Sequence, residues 1–190
     1  MLNKLLEWDK KIFVYLNNLG IEEYDTFWTV ATEIISWTPL FILFFVLILL
    51  AFPKKEGIYK SLTVLVLLLF VLLLTDITKD FVERLRPNNN DQLKDLIRIL
   101  RKPSSFSFYS GHAASSFSIT TLVVLFLRRK IKWTWLFYLW PLIFSFSRIY
   151  VGVHYPFDII TGTIVGVLLA FLFYKIYGRF IEPYSGSAHP

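Results

Sequence analysis

Residues 147–158 read SRIYVGVHYPFD and lie between two long apolar runs. An arginine, a histidine and an aspartate stand there beside segments that read as lipid-facing, where unpaired charge is costly. The surrounding chain fixes the setting. Of its 190 residues, 55% are hydrophobic and only 18% charged, too little charge to cover a soluble domain of this length. Length points to a single domain, residues 1–190. The absence of cysteine excludes disulfide and thiolate chemistry.

Five segments are long and apolar enough to cross a bilayer core, which takes about 20 residues. They run over 25–52, with PLFILFFVLILLAF as the most apolar part, then 59–85, 111–127, 133–150 and 157–180. Trp28, Trp133 and Trp135 fall near span ends, where indole rings favour the interface. The expected fold is all-α: a polytopic membrane helix bundle of about five transmembrane helices. Residues 1–20 carry charges throughout and no clean apolar core, so insertion is expected to depend on the internal spans.

Residues 1–20 read as an interfacial amphipathic helix, with a short solvated helix packed on the bundle as the alternative. Leu2, Leu5, Leu6, Ile12, Phe13 and Leu16 share one side, Lys4, Glu7, Lys10 and Lys11 the other. Asp9 falls on the apolar side and breaks the pattern. The one long polar connection is residues 88–109. Leu93, Leu96, Ile97 and Leu100 follow helical spacing within it, among Lys94, Arg98, Arg101 and Lys102. A short basic amphipathic helix over the site, on the membrane surface, is expected there.

Five alternating spans bring four polar span ends to one side: TDITKDFVERLRP, YSGH, SR and HYPFD. Lys79, Arg86, His112, Arg148, His154 and Asp158 then share one level and line a common site. Lys79 and Arg86 are seven residues apart, two helical turns and roughly 10 Å on one face. Taken alone, both read better as interfacial anchors that snorkel to head groups. Pro87 is expected to end that helix. Ser110 suits an N-cap, and Gly111 lets a ligand approach free N–H groups at a helix start, a good phosphate site. Asp158 follows His154 by four residues, close enough to orient the imidazole and leave its other nitrogen free as base or nucleophile. Pro156 suits the first helical position just after His154. His189, in the polar tail, carries no expected role. His112, His154 and Asp158 could in principle ligate a metal, but Lys79, Arg86 and Arg148 beside them would repel a cation. Three cations, two histidines and a helix N-terminus describe an anion site, with phosphate the obvious anion.

Together these clusters resemble the type 2 phosphatidic acid phosphatase family. KDFVERLRP matches its Lys-x6-Arg-Pro element, and SRIYVGVHYPFD its Ser-Arg-x5-His-x3-Asp element. Ser110, Gly111 and His112 match Pro-Ser-Gly-His, with Tyr109 in place of the proline. The resemblance implies a phosphatase needing neither metal nor cofactor. His154 would form a phosphohistidine, Asp158 would hold its tautomer, and His112 would act as acid and then base. Lys79, Arg86, Arg148, Ser110 and Gly111 would hold the phosphoryl oxygens.

The compact basic turns PKKEGIYK and RRKIK favour the cytoplasm, which puts the site on the extracytoplasmic (periplasmic) face of a plasma, or inner, membrane. The implied partners are the bilayer and a phosphorylated lipid, with no nucleic acid. The family's substrates include phosphatidate, phosphatidylglycerol phosphate, undecaprenyl diphosphate and lipid A phosphates. An outward site in so small a protein points to a polyprenyl diphosphate or a lipid A phosphate. The basic stretch from Lys94 to Lys102 suits either a second phosphate or anionic lipids at large. A haloperoxidase of the sister group would be soluble. A transporter would show inverted repeats, and a non-catalytic binder would have lost a histidine or the aspartate.

Overall fold

In the computed structural model residues 2–185 are described, the side chain of Leu2 excepted; His189 lies outside the described residues. Among them are seven α-helices and no strand: α1 (Leu2–Asn18), α2 (Asp25–Ala31), α3 (Thr38–Ala51), α4 (Lys54–Val82), α5 (Gly111–Leu127), α6 (Leu139–Tyr150) and α7 (Pro156–Ile176). Three helical stretches, 34–51, 54–89 and 156–184, are long and apolar enough to cross a membrane. The 17 residues of α5 rise roughly 25 Å. With its 3-10 lead Thr134–Tyr138, α6 covers roughly 28 Å.

Helix α5 runs through the centre. Every residue from Ala113 to Leu127 except Val124 is buried. Two of its hydroxyls bond back within the helix: Ser115 donates to the Gly111 carbonyl at 2.7 Å and Ser118 to that of Ser115 at 2.9 Å. Helix α7 lays Gly162, Gly166 and Ala170 against it, one small residue every turn. A Cβ at Gly162 would collide with the Ser110 carbonyl, and one at Gly166 with that of Ala114. This close contact holds the N-termini of α5 and α7 together, and the Ser110 N–H donates to the Asp158 carbonyl at 3.0 Å.

The chain departs from the sequence-based expectation in four places. The first span is not continuous from 25: α2 ends at Ala31, a 3-10 turn follows over Ile34–Trp37, and α3 starts beyond it with Pro39 in its first turn. The Ser36 hydroxyl and the Trp37 indole donate across the break to the Val30 and Ala31 carbonyls. Second, Pro87 does not stop α4. Glu83 does so, in the left-handed region at φ 52°, with its N–H on the Lys79 carbonyl at 2.9 Å. Lys79 and Arg86 therefore do not share a helical face.

Third, residues 91–96 form turns, and no amphipathic helix covers 93–102. Their backbone groups go to tertiary partners instead. The Arg98 N–H donates to Asn17 Oδ1 at 2.7 Å, and the Leu100 N–H to the Val151 carbonyl at 3.1 Å. Gly152, at φ 84°, admits the Arg98 carbonyl where any side chain would clash. Fourth, α1 has three faces rather than two. Leu5, Trp8, Ile12 and Tyr15 form an exposed apolar stripe, Lys4, Glu7 and Lys11 are also exposed, and Asp9, Phe13 and Asn17 are fully buried against the bundle.

Candidate active site

Four chain segments meet at one end of the bundle: the α4 terminus with residues 84–86, residues 105–112 leading into α5, the end of α6, and the loop into α7. Leaving the helix at Glu83 puts 84–86 in irregular chain, where the Arg84 carbonyl accepts the Ser107 N–H at 2.8 Å. From there Arg84 and Arg86 both reach into the bundle, Arg84 onto Asp158 and Arg86 onto His154.

His154 is 1% exposed. Arg86 Nη1 stands 2.9 Å from its Nε2 and also donates to the Val153 carbonyl at 3.1 Å. A guanidinium only donates, so Nε2 accepts and the proton resides on Nδ1. Nδ1 faces Asp158 Oδ2 at 3.4 Å and Ser107 Oγ at 3.3 Å. Burial pushes the His154 pKa down to about 3, outweighing the upward pull of Asp158; the imidazole is neutral at neutral pH. The Nε and Nη2 of Arg86 donate to Ser105.

Asp158 is fully buried and saturated. Its Oδ2 accepts the Tyr155 N–H at 2.9 Å, closing a capping box at the start of α7, and also a short bond from Ser107 Oγ. Oδ1 accepts from Arg84 Nη1 at 2.6 Å. The other amine of Arg84, Nη2, donates to Asp9 Oδ2 at 2.6 Å, and Asp9 Oδ1 accepts the Phe157 N–H at 2.9 Å. Arg84 also lies over the Tyr155 ring, 4.1 Å from its centroid. Burial raises the Asp9 pKa, and Arg84 and the Phe157 N–H oppose it.

Ser110 caps α5, its Oγ accepting the Ala113 N–H. Both its hydroxyl and its N–H are thus engaged within the protein, and the N–H groups of Gly111 and His112 come next, ahead of the intrahelical ladder. A Cβ at Gly111 would lie 3.8 Å from Lys79 Nζ, so the amine sits beside the helix start. His112 stacks on Phe144, centroids 4.6 Å apart, within the electrostatic reach of Arg148, His154, Lys79 and Arg86. Arg148 is 7% exposed and donates through Nη1 to Thr32 Oγ1, while its Nε is buried without a partner among the described residues. Such an orphaned charged donor is expensive unless an anion meets it.

All eight residues named from the sequence therefore gather at one end of the bundle. Four further residues support the site. Asp9 leaves a signal in the sequence, as the one carboxylate on the apolar side of α1. Arg84 lies inside the Lys-x6-Arg element but stands out by no spacing. Ser107 and Thr32 leave no trace in the sequence, since serine and threonine are common in connections.

Over residues 60–182 the chain matches the PAP2 superfamily model. It is 28% identical over 181 residues to the lipid A 4'-phosphatase of Bacteroides thetaiotaomicron, covering 93% of this chain and 80% of that one. It is 31% identical over 141 residues to the undecaprenyl-diphosphatase of Sulfolobus acidocaldarius, covering 74% and 63%. The crystal structure of the PAP2-type phosphatidylglycerolphosphate phosphatase from Bacillus subtilis superposes with a TM-score of 0.75 at 23% identity, over 94% of this chain and 88% of that one, a likeness of fold. With the family model spanning all three charged clusters, this multi-pass membrane chain belongs to the PAP2 superfamily of membrane lipid phosphatases.

Proposed function

We propose that the protein removes a phosphate from a membrane lipid through a phosphohistidine, without a metal ion, and that a lipid A phosphate is the preferred substrate. The observation that carries the mechanism is the orientation of His154: neutral, with its Nδ1 proton toward Asp158 and its Nε2 lone pair turned toward the arginine cluster. As a phosphate enters, Arg86 turns its donor from Nε2 to a phosphoryl oxygen. Nε2 then attacks phosphorus in line and the bond to the lipid oxygen breaks. His112 protonates the leaving oxygen. The cationic phosphohistidine is balanced by Asp158. His112, now neutral, takes a proton from water as the water oxygen attacks phosphorus. The P–N bond breaks, its electrons return to Nε2, and inorganic phosphate leaves.

Lys79, Arg86, Arg148 and the N–H groups at the start of α5 hold the phosphoryl oxygens, and Ser110 supports them as the cap. These fixed cations supply the charge stabilisation that a divalent ion supplies elsewhere, and they disfavour a cation at the same place. A lipid-borne phosphate suits a site at a span end. An apolar groove of about 350 Å3 beside it, lined by Phe117, Leu142, Phe146, Ile149, Ile160 and Ile164, suits an acyl or prenyl chain. Likeness over nearly the whole chain to a lipid A 4'-phosphatase favours lipid A. The higher identity to an undecaprenyl-diphosphatase over a shorter stretch makes that diphosphate the second reading.

The test is phosphate release by purified protein in detergent with EDTA, beside His154→Ala, from a lipid A phosphate, undecaprenyl diphosphate, phosphatidylglycerol phosphate and phosphatidate. EDTA-resistant turnover that His154→Ala abolishes, fastest on the lipid A phosphate, is expected. Turnover surviving in His154→Ala removes the nucleophile, and turnover abolished by EDTA removes the metal-free mechanism. A preference for another lipid reassigns the substrate.

A further inference from the structure

The carboxylate of Asp158 does its work only if it stays negative and turned toward His154, yet a buried arginine is bound to it. Arg84 places one amine on Asp158 Oδ1, which leaves Oδ2 for His154, and so fixes the carboxylate plane. An Arg84 paired with Asp158 alone would also cancel its charge in a site with little water, where charge matters most. The second amine of Arg84 goes instead to Asp9, a carboxylate with 0% exposure on the bundle-facing stripe of α1. Two carboxylates and one guanidinium leave one net negative charge, which the cationic phosphohistidine would neutralise. Asp9 Oδ1 also takes the Phe157 N–H, tying α1 to the start of the helix that carries Asp158. Asp9 lies outside residues 60–182, where the family model matches.

We propose that Asp9 is a positioning residue for phosphoryl transfer: through Arg84 it keeps Asp158 aligned with His154 and preserves the negative charge that the phosphorylated histidine needs. The proposal rests on the phosphohistidine reading. It explains why a helix with an exposed apolar stripe buries an aspartate, which a purely interfacial helix has no reason to carry. An isolated buried carboxylate would be a large liability, and it is tolerated here because Arg84 and a backbone N–H satisfy it.

The test compares Asp9→Asn, Arg84→Gln, the double variant and His154→Ala in the full chain in detergent. It records kcat, KM and Tm with whichever of the four lipids above turns over fastest. Asp9→Asn keeps the acceptor for Phe157 and removes the charge. It is expected to lower kcat by about tenfold or more with KM unchanged within twofold. Arg84→Gln loosens the carboxylate and also lowers kcat. The double variant returns the net negative charge and is expected to be faster than Asp9→Asn alone. An Asp9→Asn enzyme with wild-type kcat overturns the proposal, and so do losses that multiply in the double variant alongside parallel falls in Tm. Should the single variants not fold, the double variant decides: kcat within tenfold of wild type supports the proposal and a greater loss overturns it. His154→Ala separates the two readings. If it is active the phosphohistidine reading fails; if it is dead while Asp9→Asn is fully active, only the role of Asp9 fails.

Discussion

At the scale of single residues, His154 couples stability to pH. Its pKa is near 3 in the folded protein against an ordinary 6.5. Between these values the unfolded chain binds the proton and the folded one does not. The contribution of the neutral imidazole is therefore complete above about pH 6.5 and is lost as pH falls toward 3, to a limit of about 5 kcal/mol. Tm in detergent should fall between pH 7 and pH 4, and the fall should be shallower in His154→Asn, which has no imidazole to protonate. Equal slopes in the two proteins would show that other groups govern acid stability.

At the scale of elements, the site depends on two kinds of contact. One is the α5–α7 crossing, where Gly162 and Gly166 bring backbones together and so place Ser110 beside Asp158. Gly166→Val forces a side chain into the Ala114 backbone and is expected to cost about 3 kcal/mol or to prevent folding, since neither backbone can give way. Thermal unfolding in detergent measures it. The other is Asn17 of α1, which donates to the carbonyls of Arg98, Ile149 and Tyr150 and accepts from the Arg98 N–H. Asn17→Ala removes this partner from the Arg98 and Tyr150 carbonyls and the Arg98 N–H and should cost roughly 2–4 kcal/mol. Hydrogen exchange should then rise across residues 92–100 while α5 stays protected. Unchanged exchange there would mean that Arg98–Asp25 and Leu100–Val151 hold the segment without Asn17.

For the whole molecule, sidedness is open to direct measurement because the chain has no cysteine. The basic turns around Lys55 and Arg129 lie at the end opposite the site and are exposed, as is Asp91 at the site end. Intact cells treated with a membrane-impermeant maleimide should label Asp91→Cys and spare Lys55→Cys and Arg129→Cys. The reverse pattern would put the site in the cytoplasm.

What the sequence determined by itself is the membrane setting and the identity of the charged groups. Apolar runs are one-dimensional signals, and lysine, arginine, histidine and aspartate are rare enough in such runs to stand out. Alternating spans then bring those groups to one side without any knowledge of packing. Tertiary structure alone decided how the groups are held. Residues 93–100 have helical spacing but give their backbone bonds to Asn17 and Val151, because a 3.6-residue pattern records a possible face and not a competing partner. Glu83 ends α4 four residues ahead of Pro87, and that reversal turns Arg84 and Arg86 inward, as no helical wheel implies. Asp9 breaks the pattern of its own helix because its partner is Arg84, 75 residues away in the chain. A polar residue on an apolar face is satisfied only in three dimensions, and a sequence shows the misfit without showing what resolves it.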